Sequence, residues 1–360
     1  MTTQNSWPTD GYVFNSELSK CENGGTLSWD KTNKRVEFSG NNIDKCYVYF
    51  DVDTSMSLAE YVVSQYTGTQ GVNGIYYHDA NLTNGAGDNS YRYAGANPNN
   101  YVCFGSDDAT CPHENLYRII GLIDGKVKLI LADGATTDML GTDEGYVDTY
   151  QAALVSASSY YKGNGDLTKI GAYYWNSEET NKWSDSTTNL TNLNTNYLAY
   201  LDEKNSKWKS MIDDTVWYVG GMNYANGIQS NAKITYDYEV GTNKDATTTY
   251  QSKIGLMYLS EFYYGASPDY WTLPGNNSSG DDYKKAYNNN WMSIGLNEWC
   301  LSRYSGFSNS AFRVTDDGSG FWHYVDNNYV LRPSFNLTPS VKYESGNGTA
   351  SSPIRLKISD

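Results

Sequence analysis

Residues 117–131 read YRIIGLIDGKVKLIL, two aliphatic runs separated by Asp124-Gly125. That dipeptide suits a type I′ turn, whose two central residues both need positive φ. The stretch therefore predicts a β-hairpin, and both arms are apolar enough to lie deep in a sheet. A buried hairpin commits the chain to a sheet-containing core. The sequence on either side decides what covers it.

Upstream, residues 21–53 read as a small β unit. GTLSWD and KRVEF flank a turn at Lys31–Asn33, and CYVYFDV supplies a third strand. SLAEYVVSQY follows as a short helix with Ser57 at the N-cap and Glu60 completing a capping box. Leu58, Val62 and Tyr66 share one face of it. Residues 68–111 are dominated by turn formers (GTQGVNG, NLTNGAGDNS, GANPNN) and read as a long ordered loop or a seam between two units.

Downstream, TTNLTNLNTNYLAYLDE places Leu190, Leu193, Tyr197, Leu198 and Leu201 at helical spacing. KWKSMIDD is a shorter helical piece, and TVWYVGG is a strand ending at Gly220-Gly221. KITYDYEV alternates strictly, which predicts a strand with Ile234, Tyr236, Tyr238 and Val240 on one face. KIGLMYL reads as another strand, with Ser260 capping a helical turn through EFYYGA. SAFRV, the turn TDDGSG and VLRPSFNL follow. Pro333 cannot donate to a ladder, so its strand lies at an edge, is bulged, or pairs on one side only. The expected organisation is a β-rich unit at 1–67, a loop-rich connection at 68–111, the main domain at 112–345 and a tail at 346–360.

Composition narrows the function. The 360 residues carry a net charge of −15, which excludes the basic footprint that nucleic-acid binding requires. No run of 18 apolar residues occurs, so no membrane span is expected. Charged residues are only 19% of a chain rich in Asn, Thr, Ser, Gly and Tyr, a balance common in exported bacterial proteins. The start MTTQNSWPTDGY lacks the basic and apolar regions of a signal peptide. The chain therefore reads as an extracellular fragment anchored through a missing N-terminal segment, with Met1 an added start.

The five cysteines allow two readings. Cys103 and Cys111 bracket a loop short enough to staple, and Cys21 and Cys46 flank a hairpin and can meet, leaving Cys300 as a buried thiol. Alternatively, all five are reduced core residues. A zinc site is excluded by the lack of a CxxC pair and the wide spacing of the three His.

Several blocks occur together in a fixed order: YRIIGLIDGKVKLI, the leucine helix before TVWYVGG, KIGLMYLSEFYYGASPDYW, GLNEWCLS, AFRV and VLRPSFNLTPSV. In this the chain resembles a family of bacterial surface proteins, common in gut Gram-positive bacteria. Many of these carry a pilin-like or membrane-anchoring N-terminus. The resemblance covers residues 112–345. It implies an α+β, C-type-lectin-like domain, similar to formylglycine-generating enzymes and to the variable target proteins of diversity-generating retroelements. In those targets the scaffold strands stay fixed while exposed side chains near the C-terminus vary and bind ligand. Here Trp299, Leu301, Phe312, Val314, Arg332, Pro333, Phe335 and Leu337 fall in the matching blocks, whereas RYSGFSNS and SGFWHYVDNN match no fixed motif.

Those two unmatched segments carry the site expectation. Phe321, Trp322, His323 and Tyr324 form an unbroken row of rings in a polar context, where a one-sided strand would alternate. Rings offer contact area at low entropic cost, and Ser, Gly and Asn offer adaptable hydrogen bonds. The expected ligand surface is Tyr304, Phe307, Ser308, Asn309, Phe321, Trp322, His323, Tyr324 and Asp326. A bordering stretch holds Tyr287, Asn288, Asn289 and Trp291. The competing reading puts Phe321, Trp322 and Tyr324 partly in the core.

Catalysis is not expected. Cys300 has no partner nearby in sequence, and no GxSxG elbow occurs. Asp213-Asp214, Asp281-Asp282 and Asp316-Asp317 read as turn residues rather than a glycosidase pair. No cofactor is expected. Calcium is the one candidate metal, through DVD at 51–53 or DDGSG at 316–320, although neither has EF-hand spacing. The leading reading is a ligand-binding protein that engages a protein or glycan on another cell or a phage surface. A structural subunit of a pilus or surface layer is the alternative, and an extracellular carbohydrate-active enzyme comes third.

Overall fold

The computed structural model describes residues 7, 12–30, 33, 35–41, 43–52, 55–148, 160–223, 231–241, 248–274 and 281–358. Met1, Asp53 and most of the expected turn at Lys31–Asn33 lie outside them. The architecture is mixed α+β, built from several small sheets with helices around them.

The hairpin forms as expected from Leu116–Ile123 and Lys126–Leu131, with Asp124 at φ 50° and Gly125 at φ 75°. It is the centre of a six-stranded sheet. Ser334–Asn336 pairs beyond Lys126–Leu131, Tyr91–Tyr93 and Ile75–Tyr77 extend the other side, and Tyr101–Cys103 pairs with Leu116–Arg118. The ladder is irregular between Ile119 and Gly121. A Cβ on Gly121 would lie 2.2 Å from the Tyr91 carbonyl oxygen, so glycine permits the close strand approach there. As Pro333 requires, Ser334–Asn336 is the edge strand, bridged on its far side at Gly255–Ser334, with the Asp213 N–H donating to the Asn336 carbonyl at 2.9 Å.

A second sheet orders Gly221–Met222, Glu298–Tyr304, Ser310–Val314 and Gly320–Tyr324, the last at the edge. One continuous core joins the two sheets, and Trp175, Trp183, Trp217 and Trp299 are fully buried in it. Phe335 sits in a ring cluster, 5.0 Å from Phe104 and 5.6 Å from Tyr117.

Core packing and strand pairing cross the expected boundaries at 67/68, 111/112 and 345/346. Leu58, Tyr61 and Val62, on the capping-box helix Leu58–Gln65, belong to the main core. Residues 68–111, expected as a connection, supply three strands of the large sheet. The expected tail pairs Arg355–Ile358 with Val341–Ser345, and Ile354 exchanges backbone bonds with Tyr101 and Cys103. Three-residue strands set between turns leave too little alternation to read. The β unit before Ser55 is built from three two-stranded pairs, and none of its described residues joins the main core.

Four expected elements differ. KITYDYEV is a helix, Ala232–Glu239, capped by the Asn231 side chain and carrying a Lys233–Asp237 pair. Its inward residues are Ala232, Thr235 and Glu239, so apolar periodicity pointed to the wrong face. KIGLMYL is not a strand; the strand is Thr248–Ser252, and Ile254, Leu256 and Met257 are buried in irregular backbone. Ser260 does not cap its helix. Leu259–Tyr264 begins two residues before the expected start, with Tyr258 at the N-cap, and the Tyr258 N–H donates to Glu261 at 2.8 Å. The leucine-rich helix is a π-helix over Thr188–Tyr197, continuing as an α-helix over Leu198–Lys204. The wider turn leaves Leu190 exposed and takes Asn189 and Asn192 inside, where Asn192 donates to the Leu140 and Glu144 carbonyls.

Charged groups lie between the sheets. Lys128 donates to both Glu261 oxygens at 2.7 and 2.9 Å, with both side chains 4% exposed. Glu239 accepts from the Leu259 and Ser260 N–H groups at 3.0 and 3.1 Å and from the Ser302 hydroxyl. Burial pushes its carboxyl up to about 7.

Two outcomes follow. Phe335→Ala should cost about 3–5 kcal/mol in chemical denaturation, the range for truncating a buried ring. Because Glu239 holds its proton more tightly folded than unfolded, its contribution is full below about pH 4.5 and is lost as pH rises through 7. Glu239→Gln removes that loss. Stability measured against pH should therefore run more positive in the variant, by about 1.4 kcal/mol per unit between pH 4.5 and 7. Parallel profiles for the two proteins would refute the assignment.

Candidate binding face

The ring row is an edge strand, Gly320–Tyr324, in register with Ser310–Val314. Phe312 faces Trp322 and Ser310 faces Tyr324, whereas Ala311 faces His323 and Arg313 faces Phe321. Side chains alternate across a strand, so the four rings are two pairs on opposite faces. Phe321, Trp322 and His323 are half-buried and Tyr324 is exposed, against 1% exposure for Phe312 and Val314.

One face carries a layered aromatic shelf. Trp322 stacks on Tyr304 with centroids 5.0 Å apart and planes 11° from parallel. Phe307 lies 5.5 Å from both rings, and Tyr324 meets Trp322 edge-on at 6.1 Å. Tyr304 is 3% exposed, so the expectation that it lines the surface is corrected: it is the floor beneath Trp322. Phe307 and Tyr324 are 50% and 48% exposed. Ser308 and Asp326 are exposed near them in sequence, and Asn309 is half-buried, its carbonyl accepting from the Val325 N–H at 3.0 Å.

The opposite face is different in kind. His323 packs edge-on to Tyr329 at 5.8 Å, and the Arg313 guanidinium lies 4.6 Å over the same ring. Burial, and then Arg313, lower the His323 pKa, which keeps the imidazole neutral at neutral pH. By strand register His323 and Phe321 belong to the other face from Trp322 and Tyr324, but the pairs meet at the edge: Phe321 stacks on Trp322 at 5.7 Å and His323 meets Tyr324 edge-on at 6.0 Å.

The loop between the inner strands is held by Asn181, which sequence reasoning missed. Its side-chain amide donates to the carbonyls of Tyr304, Phe307 and Ser310 at 2.8, 2.8 and 2.9 Å, and its N–H donates to the Ser308 carbonyl at 2.7 Å. Asn181 is 4% exposed. A single Asn in a polar stretch gives no sequence signal of such a role.

The bordering stretch does not join the shelf. Trp291 is 4% exposed, donates to the Tyr93 carbonyl at 2.8 Å and lies under the Arg118 guanidinium at 4.7 Å, so its expected surface role is corrected to core. Asn289 donates to the Lys285 carbonyl at 2.9 Å, and Asn288 is exposed. Tyr287 packs on Gly318, in the turn at the far end of the ring strand. There a small cleft of about 40 Å³ opens between Phe262, Tyr263, Tyr270, Leu273 and Tyr287. A more polar cleft of about 180 Å³ lies beside Cys103, Trp208 and Arg355.

Of the two calcium candidates, the first rests partly on Asp53, which lies outside the described residues. Asp51 accepts from Asn15 at 2.6 Å, and the 315–319 turn is closed by its own side chains, Asp317 accepting from the Thr315 hydroxyl. Asp213 and Asp214 pair with Lys126 and Lys253 rather than serving turns. Among the described residues, the one group of three potential metal ligands is Cys21, Asp44 and Cys46, and its two sulfurs are bonded to each other. Disulfides join Cys21–Cys46 and Cys103–Cys111, and Cys300 is a fully buried free thiol pushed well up by burial. No helix among the described residues is long and apolar enough to cross a membrane. Compared with known proteins, the chain matches no family model, no curated protein and no solved structure.

The geometry separates support from surface. Tyr304→Ala should cost about 3 kcal/mol by opening a cavity under Trp322. The double change Phe307→Ser, Tyr324→Ser should cost within about 0.5 kcal/mol per site. Thermal and urea melts of the two variants test this; the reverse order would mean that floor and surface have been exchanged.

Proposed function

We propose that the chain is an extracellular binding protein whose ligand face is the shelf of Phe307, Trp322 and Tyr324, with Ser308, Asn309 and Asp326 at its rim. The observation that carries this reading is the pair of half-exposed rings set on a buried ring and a clamped loop. Monomeric proteins seldom leave contiguous large apolar groups in water without use. Rigid rings beside Ser and Asn form the composition of adaptable recognition loops. The two disulfides are compatible with an oxidising, extracellular setting.

A frame of buried strands carrying replaceable side chains also agrees with a C-type-lectin-like variable protein. Its ligand would be a protein or glycan on another cell or a phage surface, bound without chemical change. One observation favours the structural-subunit alternative. Among the described residues the ring strand pairs on one side only, as a strand awaiting another chain would.

Labelled protein applied to bacterial cells and to immobilised glycans tests the binding reading. The native chain should bind at least one of these surfaces, and Phe307→Ser, Tyr324→Ser should weaken that binding at least tenfold. Undiminished binding by the variant would overturn the face. Concentration-dependent sedimentation of the native chain alone, lost in the same variant, would instead support subunit assembly.

A further inference from the structure

The β unit that precedes Ser55 has an unusual weakness. No described residue from Tyr12 to Asp51 is buried, whereas the main body buries residues from Leu58 onward. Its interior is a group of rings in which Phe50 meets Trp29 at 5.5 Å, Phe14 at 5.8 Å and Trp7 at 6.0 Å, all half-buried. Ile43 is 84% exposed, and Leu18, Tyr12, Tyr47 and Tyr49 are exposed as well. Its three sheets have two strands each, and isolated two-stranded sheets are marginally stable in water. A module of this size without a core ordinarily needs a covalent staple.

The staple is present and lies at the weakest ladder. Lys20–Cys21 and Cys46–Tyr47 are two-residue strands, and Cys21 and Cys46 face each other in register. The disulfide between them closes 25 residues, which include the whole Thr26–Asp30 and Arg35–Ser39 hairpin. Beside it, the Asp44 carboxylate accepts from the Asn23 and Gly25 N–H groups at 2.8 and 2.9 Å, a contact that depends on the two segments staying together. The other disulfide differs in both respects. Cys103–Cys111 closes 8 residues, and Cys103 is 1% exposed within the large sheet.

We infer that Cys21–Cys46 is a redox latch for the N-terminal unit: reduction unfolds residues 12–52 and leaves the body from Leu58 onward folded. The cleavage is a two-electron reduction of the S–S bond to two thiols, with electrons and protons supplied by an external dithiol that leaves as its own disulfide. Loop-closure entropy for 25 residues corresponds to a rise on the order of 300-fold in the opening equilibrium of the unit.

Hydrogen exchange of the intact chain, read by mass spectrometry before and after dithiothreitol, tests the latch. Peptides from 12–52 should lose protection by roughly that factor, while the hairpin at Leu116–Leu131 keeps its own. The variant Cys21→Ser, Cys46→Ser should reproduce the loss without reductant, and Cys103→Ser, Cys111→Ser should not. Three results would overturn the inference. The unit could keep its protection when reduced, lack protection already when oxidised, or open only when the whole chain opens.

Discussion

Lys128 and Glu261 form the contact on which the two sheets depend. Lys128 projects from the central hairpin, and Glu261 lies on the short Leu259–Tyr264 helix between the sheets. Removing two charges from water is costly and is offset only by good geometry and full hydrogen bonding. Here Glu261 also accepts the Tyr258 N–H, while the rings of Trp217 and Tyr258 flank the ammonium at 4.9 and 4.6 Å. The same helix offers its first N–H groups to Glu239, which in turn takes the Ser302 hydroxyl from the ring-bearing sheet. A path of buried polar contacts therefore runs from the large sheet through the helix to the smaller one. Apolar packing alone tolerates sliding, whereas a desolvated charge tolerates only the register that satisfies it.

That arrangement explains what could be read from the chain and what could not. The hairpin at 117–131 was legible because its turn chemistry and apolar runs agree locally. The Ser57–Glu60 capping box was legible for the same reason. The Ala232–Glu239 helix was not, since its buried residues include Thr235 and Glu239, chosen for hydrogen bonding in the interior rather than for hydrophobicity. The strands within 68–111 are each three residues long and take their stability from long-range pairing, which no local window contains.

The site was legible in part. The exposure of Phe307 and Tyr324 was expected from composition, because rings in a polar context stand out against strand alternation, whereas Phe321, Trp322 and His323 are half-buried. Tyr304 and Trp291 were placed outside for the same reason and lie inside. Asn and Arg neighbours in sequence say little about a strand or turn residue whose side chain points the other way. In a chain with 34 Tyr and 10 Trp, aromatic residues are also core material, so ring content alone does not separate floor from face. Register did that, through the pairing of Trp322 with Phe312.

The clamp at Asn181 has a meaning for how this surface can change over time. All four of its bonds to the 304–310 segment end on main-chain carbonyls. Carbonyls are the same whatever side chain follows them, so the clamp is blind to the identity of residues 305–309 and sensitive only to their number. Except at Gly306, where a Cβ would lie 2.6 Å from the Tyr304 ring, substitution there can alter chemistry while the path of the chain is preserved, whereas inserting or deleting one residue would carry the carbonyls out of reach together. The fold thus permits variety in spelling at this loop and forbids variety in length.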